Sequence, residues 1–277
     1  MLRGVSVLAV SLTLTAALAG DDGHHHDGEL SNEQLGTVHF PTSCTPQVQK
    51  DFERGVAFLH SFAFETAEAT FRQVAKDDPN CAVAHWGVAK TFQRWGTPSA
   101  KQLETAWGEI KIAKSLHAQT DRERRYIAAM SSFYEPGKKE EKRELDYLKG
   151  MKELYGRYPD DHQAAAFYAF ALKDSDRDND PTHARRKQAA GILEKLFLLE
   201  PNHPGVAHYL IHTYDYPGMA ELGLPAARRY AKIAPAAPHA LHMPSHIFAQ
   251  LGLWQEDINS NLVSVAASRD ASITHMG

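Results

Sequence analysis

One pattern recurs four times along the chain. A pair of residues four apart is followed, eight residues after its second member, by a proline. The copies are Ala67-x3-Phe71-x7-Pro79, Tyr147-x3-Met151-x7-Pro159, Ala189-x3-Leu193-x7-Pro201 and Ala226-x3-Tyr230-x7-Pro238. Residues four apart share one face of a helix. A proline cannot continue a helix and biases the residue before it away from helical geometry, so each copy reads as a helix and its stop. Ahead of the first copy stands Gly55-x2-Phe58, and Ala89-x2-Phe92 follows it at an offset of 34 residues; Ile211-x2-Tyr214 precedes the last copy. A helical hairpin of this size buries its apolar face only against the next hairpin. The pattern therefore predicts an all-α helical-hairpin solenoid, an irregular α-α superhelix, over 45–277.

Gly55-x2-Phe58-x8-Ala67-x3-Phe71-x7-Pro79 resembles the tetratricopeptide repeat (TPR), a helix–turn–helix unit of about 34 residues. The resemblance implies that Gly55 and Ala67 let two helices approach and that Phe58 and Phe71 fill the space between them. The prolines are unevenly spaced, which predicts inserted helices. Thr120-x2-Glu123 is a capping box opening one of them. It runs to about Tyr134, and Glu135-Pro136-Gly137 stops it. Lys138 to Glu144 reads as solvated first turns of the next helix. Asp174 to Pro181 reads as an exposed loop, since it lacks the glycine and the later glutamate of an EF-hand. A last helix is expected from near Trp254 towards Ser268. No polar capping helix follows it, so either the chain is truncated at its C-terminal end or a partner covers that end.

The N-terminus reads as a signal peptide over 1–19: Arg3, an apolar stretch from Val5 to Leu18, then Ala17-Leu18-Ala19 as cleavage site. Residues 20–44 are expected to be a disordered or extended mature N-terminus, with His24, His25 and His26 in a polar tail. Export places the protein in the periplasm or outside the cell, with no integral membrane segment after cleavage. The chain has two cysteines, Cys44 and Cys81. In an oxidising compartment they form a disulfide; otherwise they are two buried thiols. The net charge is -4 with both signs interleaved, which excludes the basic stripe of a nucleic-acid binder.

The segment from Pro201 to Asn261, together with Cys81-x3-His85-Trp-Gly and Arg122-Glu-Arg-Arg-Tyr126, is similar to a group of exported bacterial TPR-containing proteins. The likeness covers most of the mature chain and implies fold and export. Members of that group are commonly longer and have no settled activity.

Sixteen histidines are spread over 277 residues, yet five fall in two short segments, His208-x3-His212 and His239-x2-His242-x3-His246. The TPR register implies that His208, His212 and His242 face the concave groove of adjacent hairpins, with His60, Tyr209 and Asp215 also at the groove. Tyr214, Tyr230 and Phe248 fall on packing positions. Two imidazoles four apart project from one helical face and can chelate one ion. Pro244 requires either a helix that starts there or a kink. Asp215 or Asp257 would orient a ligating ring. Imidazoles suit Zn, Cu, Fe and Ni; Zn or Cu is expected if the cluster holds a metal. H-E-x-x-H, C-x-x-C-H, G-x-S-x-G and a phosphate loop do not occur, so a zincin, covalent haem, a serine-hydrolase elbow and an NTPase are unsupported. Two functions compete: a scaffold binding a protein or peptide partner in its groove, without catalysis, and a metalloprotein or metalloenzyme centred on these histidines.

Overall fold

A computed structural model describes residues 34–94, 98–176 and 180–274. The expected signal peptide, 1–19, and His24 to His26 lie outside them. The described residues are helical and contain no strand. The helices pack in consecutive antiparallel pairs: α1 (Gln49–His60) on α2 (Phe64–Asp77), α3 (Ala82–Thr91) on α4 (Ala100–Ser115), α5 (Asp121–Tyr134) on α6 (Glu140–Arg157), α7 (His162–Asp174) on α8 (Ala184–Leu199), and α9 (Pro204–Tyr214) on α10 (Ala220–Ile233). A sixth pair joins α11 (Pro238–His242) and α12 (Pro244–Gln250) to α13 (Trp254–Thr274). No described helix is long and apolar enough to cross a membrane.

Local chemistry places several boundaries where the sequence puts them. Thr120 and Glu123 form the expected capping box, and α5 ends at Tyr134. The helices before Pro79, Pro159 and Pro201 end two residues ahead of each proline, at Asp77, Arg157 and Leu199. Pro238 is different. Pro235 stops α10 earlier, at Ile233, and Pro238 occupies the first turn of α11, where its missing N–H costs nothing.

The first helices of the pairs form an inner layer and the second helices an outer one. α9 is buried at every position, α3 at nearly every one and α7 at most of them. By contrast, α2 and α10 bury one stripe and show water the other, as amphipathic outer helices do. Inner helices contact along the array, α1 with α3, α3 with α5, α7 with α9 and α9 with α12. The array also closes: α1 of the first pair packs on α9 of the fifth. Gly205 permits that approach, because a Cβ there would lie 2.3 Å from Nδ1 of His60. Within the first pair, a Cβ on Gly55 would lie 2.7 Å from the Phe71 ring. Closure fills the concave side with the protein's own core.

Residues 36–42 have no regular secondary structure, but they are not a loose tail. Leu35 and Phe40 are fully buried. The segment is tied at one end by Thr37 N–H donating to the Asn202 carbonyl (2.9 Å) and Ala236 N–H to that of Gln34 (3.1 Å). Further along, Phe40 packs among Phe52, Trp86 and Tyr126 at 4.9–5.6 Å between ring centres. Ser43 donates twice to the Glu123 carboxylate. Cys44 and Cys81 form a disulfide that fastens this segment to the start of α3.

Candidate metal centre

The five histidines come together where the fifth and sixth pairs meet. His203 caps α9 through Nδ1, which accepts from Val206 N–H, and Pro204 opens the helix. His208 and His212 then sit one turn apart on a helix buried all round. Pro238 opens α11 and Pro244 opens α12, with Met243 in helical geometry between them. The chain therefore makes one kinked helix. His239 and His242 lie before the kink and His246 after it.

The rings form a continuous chain. Centre-to-centre distances are 4.7 Å for His208–His212, 4.9 Å for His208–His239, 6.2 Å for His239–His242 and 5.0 Å for His242–His246. His212 also lies 6.4 Å from His246. Ligand nitrogens of His208, His212 and His239 all fall within 4.8 Å of one another. Nε2 of His208 is 3.1 Å from Nε2 of His239, and Nε2 of His242 is 3.1 Å from Nε2 of His246. Two nitrogens bound tetrahedrally to one ion at about 2.0–2.1 Å stand roughly 3.3 Å apart. Both pairs are near that spacing.

The other ring nitrogens decide where the protons are. Nδ1 of His208 donates to the His60 carbonyl at 2.6 Å. Nδ1 of His246 donates to the Asp215 carboxylate at 2.8 Å. Nδ1 of His242 faces Oδ1 of Asn261 at 2.7 Å, and that amide is oriented by its own Nδ2 donating to the Asp257 carboxylate at 2.8 Å. Each of these contacts places the proton on Nδ1 and leaves the Nε2 lone pair pointing inward. At His242 and His246 two such lone pairs meet at 3.1 Å. Neutral rings would repel there, so the contact requires a cation between them, a metal ion or a shared proton.

Burial keeps the inner rings unprotonated. It pushes His208 and His212 well below the usual histidine range, helped by neighbouring rings, and lowers His239 to about 4. Neutral imidazole is the form that ligates metal. His246 in turn holds the Asp215 carboxyl below the usual carboxylate range through their hydrogen bond. Asp215 and His246 are partly exposed, so the cluster runs from a dry interior to solvent.

The groove expectation needs correction. His60 is fully buried and Tyr209 is 2 % exposed, so neither lines an open groove. Nδ1 of His60 meets the Tyr209 hydroxyl at 2.9 Å and Nε2 meets Oε1 of Gln163 at 2.8 Å; Gln163 continues to Nε2 of His203. The closing of α1 on α9 converts these positions into core. Asp215 alone of the three is accessible, beside His246.

Three participants were not visible in the sequence. Asn261 comes from α13 and fixes His242. The His60 carbonyl comes from α1 and fixes His208. Phe62, after α1, packs against His208, His212 and His239 at 4.3–5.6 Å between centres, and its φ of 55° is unusual for a bulky residue. Asp257, named as a ring-orienting carboxylate, acts one step further out, through Asn261. A second group, Cys44, Asp78 and Cys81, is also compact, but its two sulfurs are bonded to each other. No family model matches this chain, and no curated protein is similar to it.

Proposed function

We propose that the protein is an exported metal-binding helical-repeat protein whose cluster of His208, His212, His239, His242 and His246 holds a transition-metal ion, zinc or copper. One observation carries the reading: His242 and His246 face each other through Nε2 at 3.1 Å while both Nδ1 atoms are turned to oxygen acceptors. Beside them stand the neutral rings of His208, His212 and His239, whose ligand nitrogens lie within 4.8 Å of one another. The proposal concerns a bound ion, not a reaction. Reading the hairpins as tetratricopeptide units is supported by Gly55 against Phe71 and by the helix stops before Pro79, Pro159 and Pro201. Export is supported by the pattern over 1–19 and by the disulfide, which persists in oxidising compartments.

The test is elemental analysis of the mature protein, produced by export without an affinity tag. Stoichiometric zinc or copper in the wild type, lost in His242→Ala/His246→Ala, supports the proposal. The same loss is expected in His208→Ala/His212→Ala, provided circular dichroism shows a folded chain. Traces of metal that neither double variant changes would sink it. A His242–His246 pair that titrates as a shared proton in nitrogen NMR of metal-free and metal-treated protein alike would also overturn it.

Partner binding keeps one specific observation in its favour. Trp254, Ile258, Leu262 and Val265 form one stripe along α13 and are 49–64 % exposed. A protein partner would dock there rather than in the filled groove. Crosslinking in the native envelope checks this: a partner caught by the wild type and lost in Ile258→Asp/Leu262→Asp supports it, and no crosslinked species counts against it.

A further inference from the structure

Away from the histidines, a cavity of about 490 Å³ opens between the α1–α2 turn, α3, α6 and α7. Its walls are aromatic: Phe62, Phe64, Phe133, Tyr147 and Phe170. Its floor carries Lys90, whose residue is 7 % exposed. The ammonium lies 4.7 Å from the centre of the Tyr147 ring and 5.1 Å from that of Phe167, and it donates to Oε1 of Gln93.

Lys90 differs from the other cations of this cavity. Arg94 is bonded to the Glu65 carboxylate and the Thr91 carbonyl. Lys138 pairs with Asp146 at 2.6 Å and Glu135 at 2.7 Å. Arg143 donates to the carbonyls of Phe133 and Lys138. Among the described residues no carboxylate lies within ion-pair distance of Lys90. The cavity's acids are Glu140, Glu144 and Asp174; Asp174 acts on Lys90 only through space, while its own Oδ1 receives Lys173 at 3.2 Å. Burying a cation without an anion is costly, and aromatic faces offset only part of that cost.

We infer that this cavity binds a small aromatic carboxylate, with its carboxylate on Nζ of Lys90 and its ring against the phenylalanines. The volume suits a small molecule. Phe62 and Phe64 are nearly parallel, at 5.1 Å between centres and 19° between planes, and present a broad apolar wall. Burial lowers the Lys90 amine to about 7, so a fraction of the unliganded protein has lost this proton near neutral pH. An arriving carboxylate restores the ammonium, and binding takes up protons. The site shares the Phe62 ring with the histidine cluster but does not rest on a bound metal.

The experiment is calorimetry on the disulfide-intact protein with 3-phenylpropionate, 3-phenylpropionamide and 3-phenylpropylamine. The acid is expected to bind at least about tenfold more tightly than the amide, as a charge-assisted contact implies. The amine is not expected to bind. Buffers of different ionisation heat should reveal proton uptake with the acid, a readout that needs no variant. Lys90→Met should reduce the affinity for the acid about tenfold or more and leave the amide unchanged. Equal binding of acid and amide, an acid that does not bind at millimolar concentration, or binding without proton uptake would each overturn the inference. If Lys90→Met fails to fold, Lys90→Gln makes the same comparison.

Discussion

Replacing Asp215 with asparagine removes the negative charge that receives Nδ1–H of His246 at 2.8 Å while keeping the side chain's shape. Gln250 also donates to this carboxylate, so its anchoring is retained in part. A carboxylate behind a ligating imidazole fixes its tautomer and raises its basicity, and losing one typically weakens metal binding about 10–100-fold. Zinc held at about 100 times the wild-type Kd should stabilise the wild type by about 2.7 kcal/mol. For a chain of this size that is a rise in Tm of roughly 5–11 °C. At the same zinc concentration the variant should gain only about 0.4–1.4 kcal/mol, or roughly 1–6 °C. Differential scanning fluorimetry in zinc buffers measures the two shifts, and competition with a chromophoric chelator gives the affinities. Equal zinc-induced shifts in wild type and Asp215→Asn would show that His246 is not a ligand oriented by Asp215. A zinc shift in neither protein would refute the site as a zinc centre.

Gly205→Ala places a methyl group 2.3 Å from the His60 ring; overpacking at this helix crossing should cost about 1–3 kcal/mol in urea denaturation, and no loss would show that α1 and α9 yield freely. Opening the Cys44–Cys81 link, which spans 37 residues, should cost about 3–4 kcal/mol on the loop-entropy estimate, read from denaturation of Cys44→Ser/Cys81→Ser beside the oxidised parent. Acid should destabilise the fold before carboxylates titrate. His60 is buried and lowered from 6.5 to about 4, mainly by desolvation. The unfolded chain therefore binds its proton first, and stability falls as pH drops below about 6.5 until the folded value is reached. From pH 7 to 5.5 this residue alone accounts for about 1 kcal/mol, and His203 and His208 act in the same direction. Equal urea midpoints at the two pH values would contradict it.

Much of the helical order was legible in the chain. Thr120 with Glu123, and Pro79, Pro159 and Pro201, set helix ends because capping and the missing proline N–H act within a turn of their own position. His208 and His212 share a face for the same local reason. Pro238 was misread as a stop because Pro235 had already ended α10, and a proline serves equally well as the first residue of a helix. The groove was misread for a deeper reason. A repeat pattern specifies how each hairpin sits on its neighbour, but curvature accumulates over five pairs. Only the folded array shows α1 meeting α9, burying His60 and Tyr209. The candidate metal centre divides in the same way. Sequence by itself put five imidazoles on adjacent units. Tertiary structure brought the His60 carbonyl, Asp215 and Asn261 to their Nδ1 atoms, and those distant partners turn the Nε2 lone pairs of His208, His242 and His246 inward.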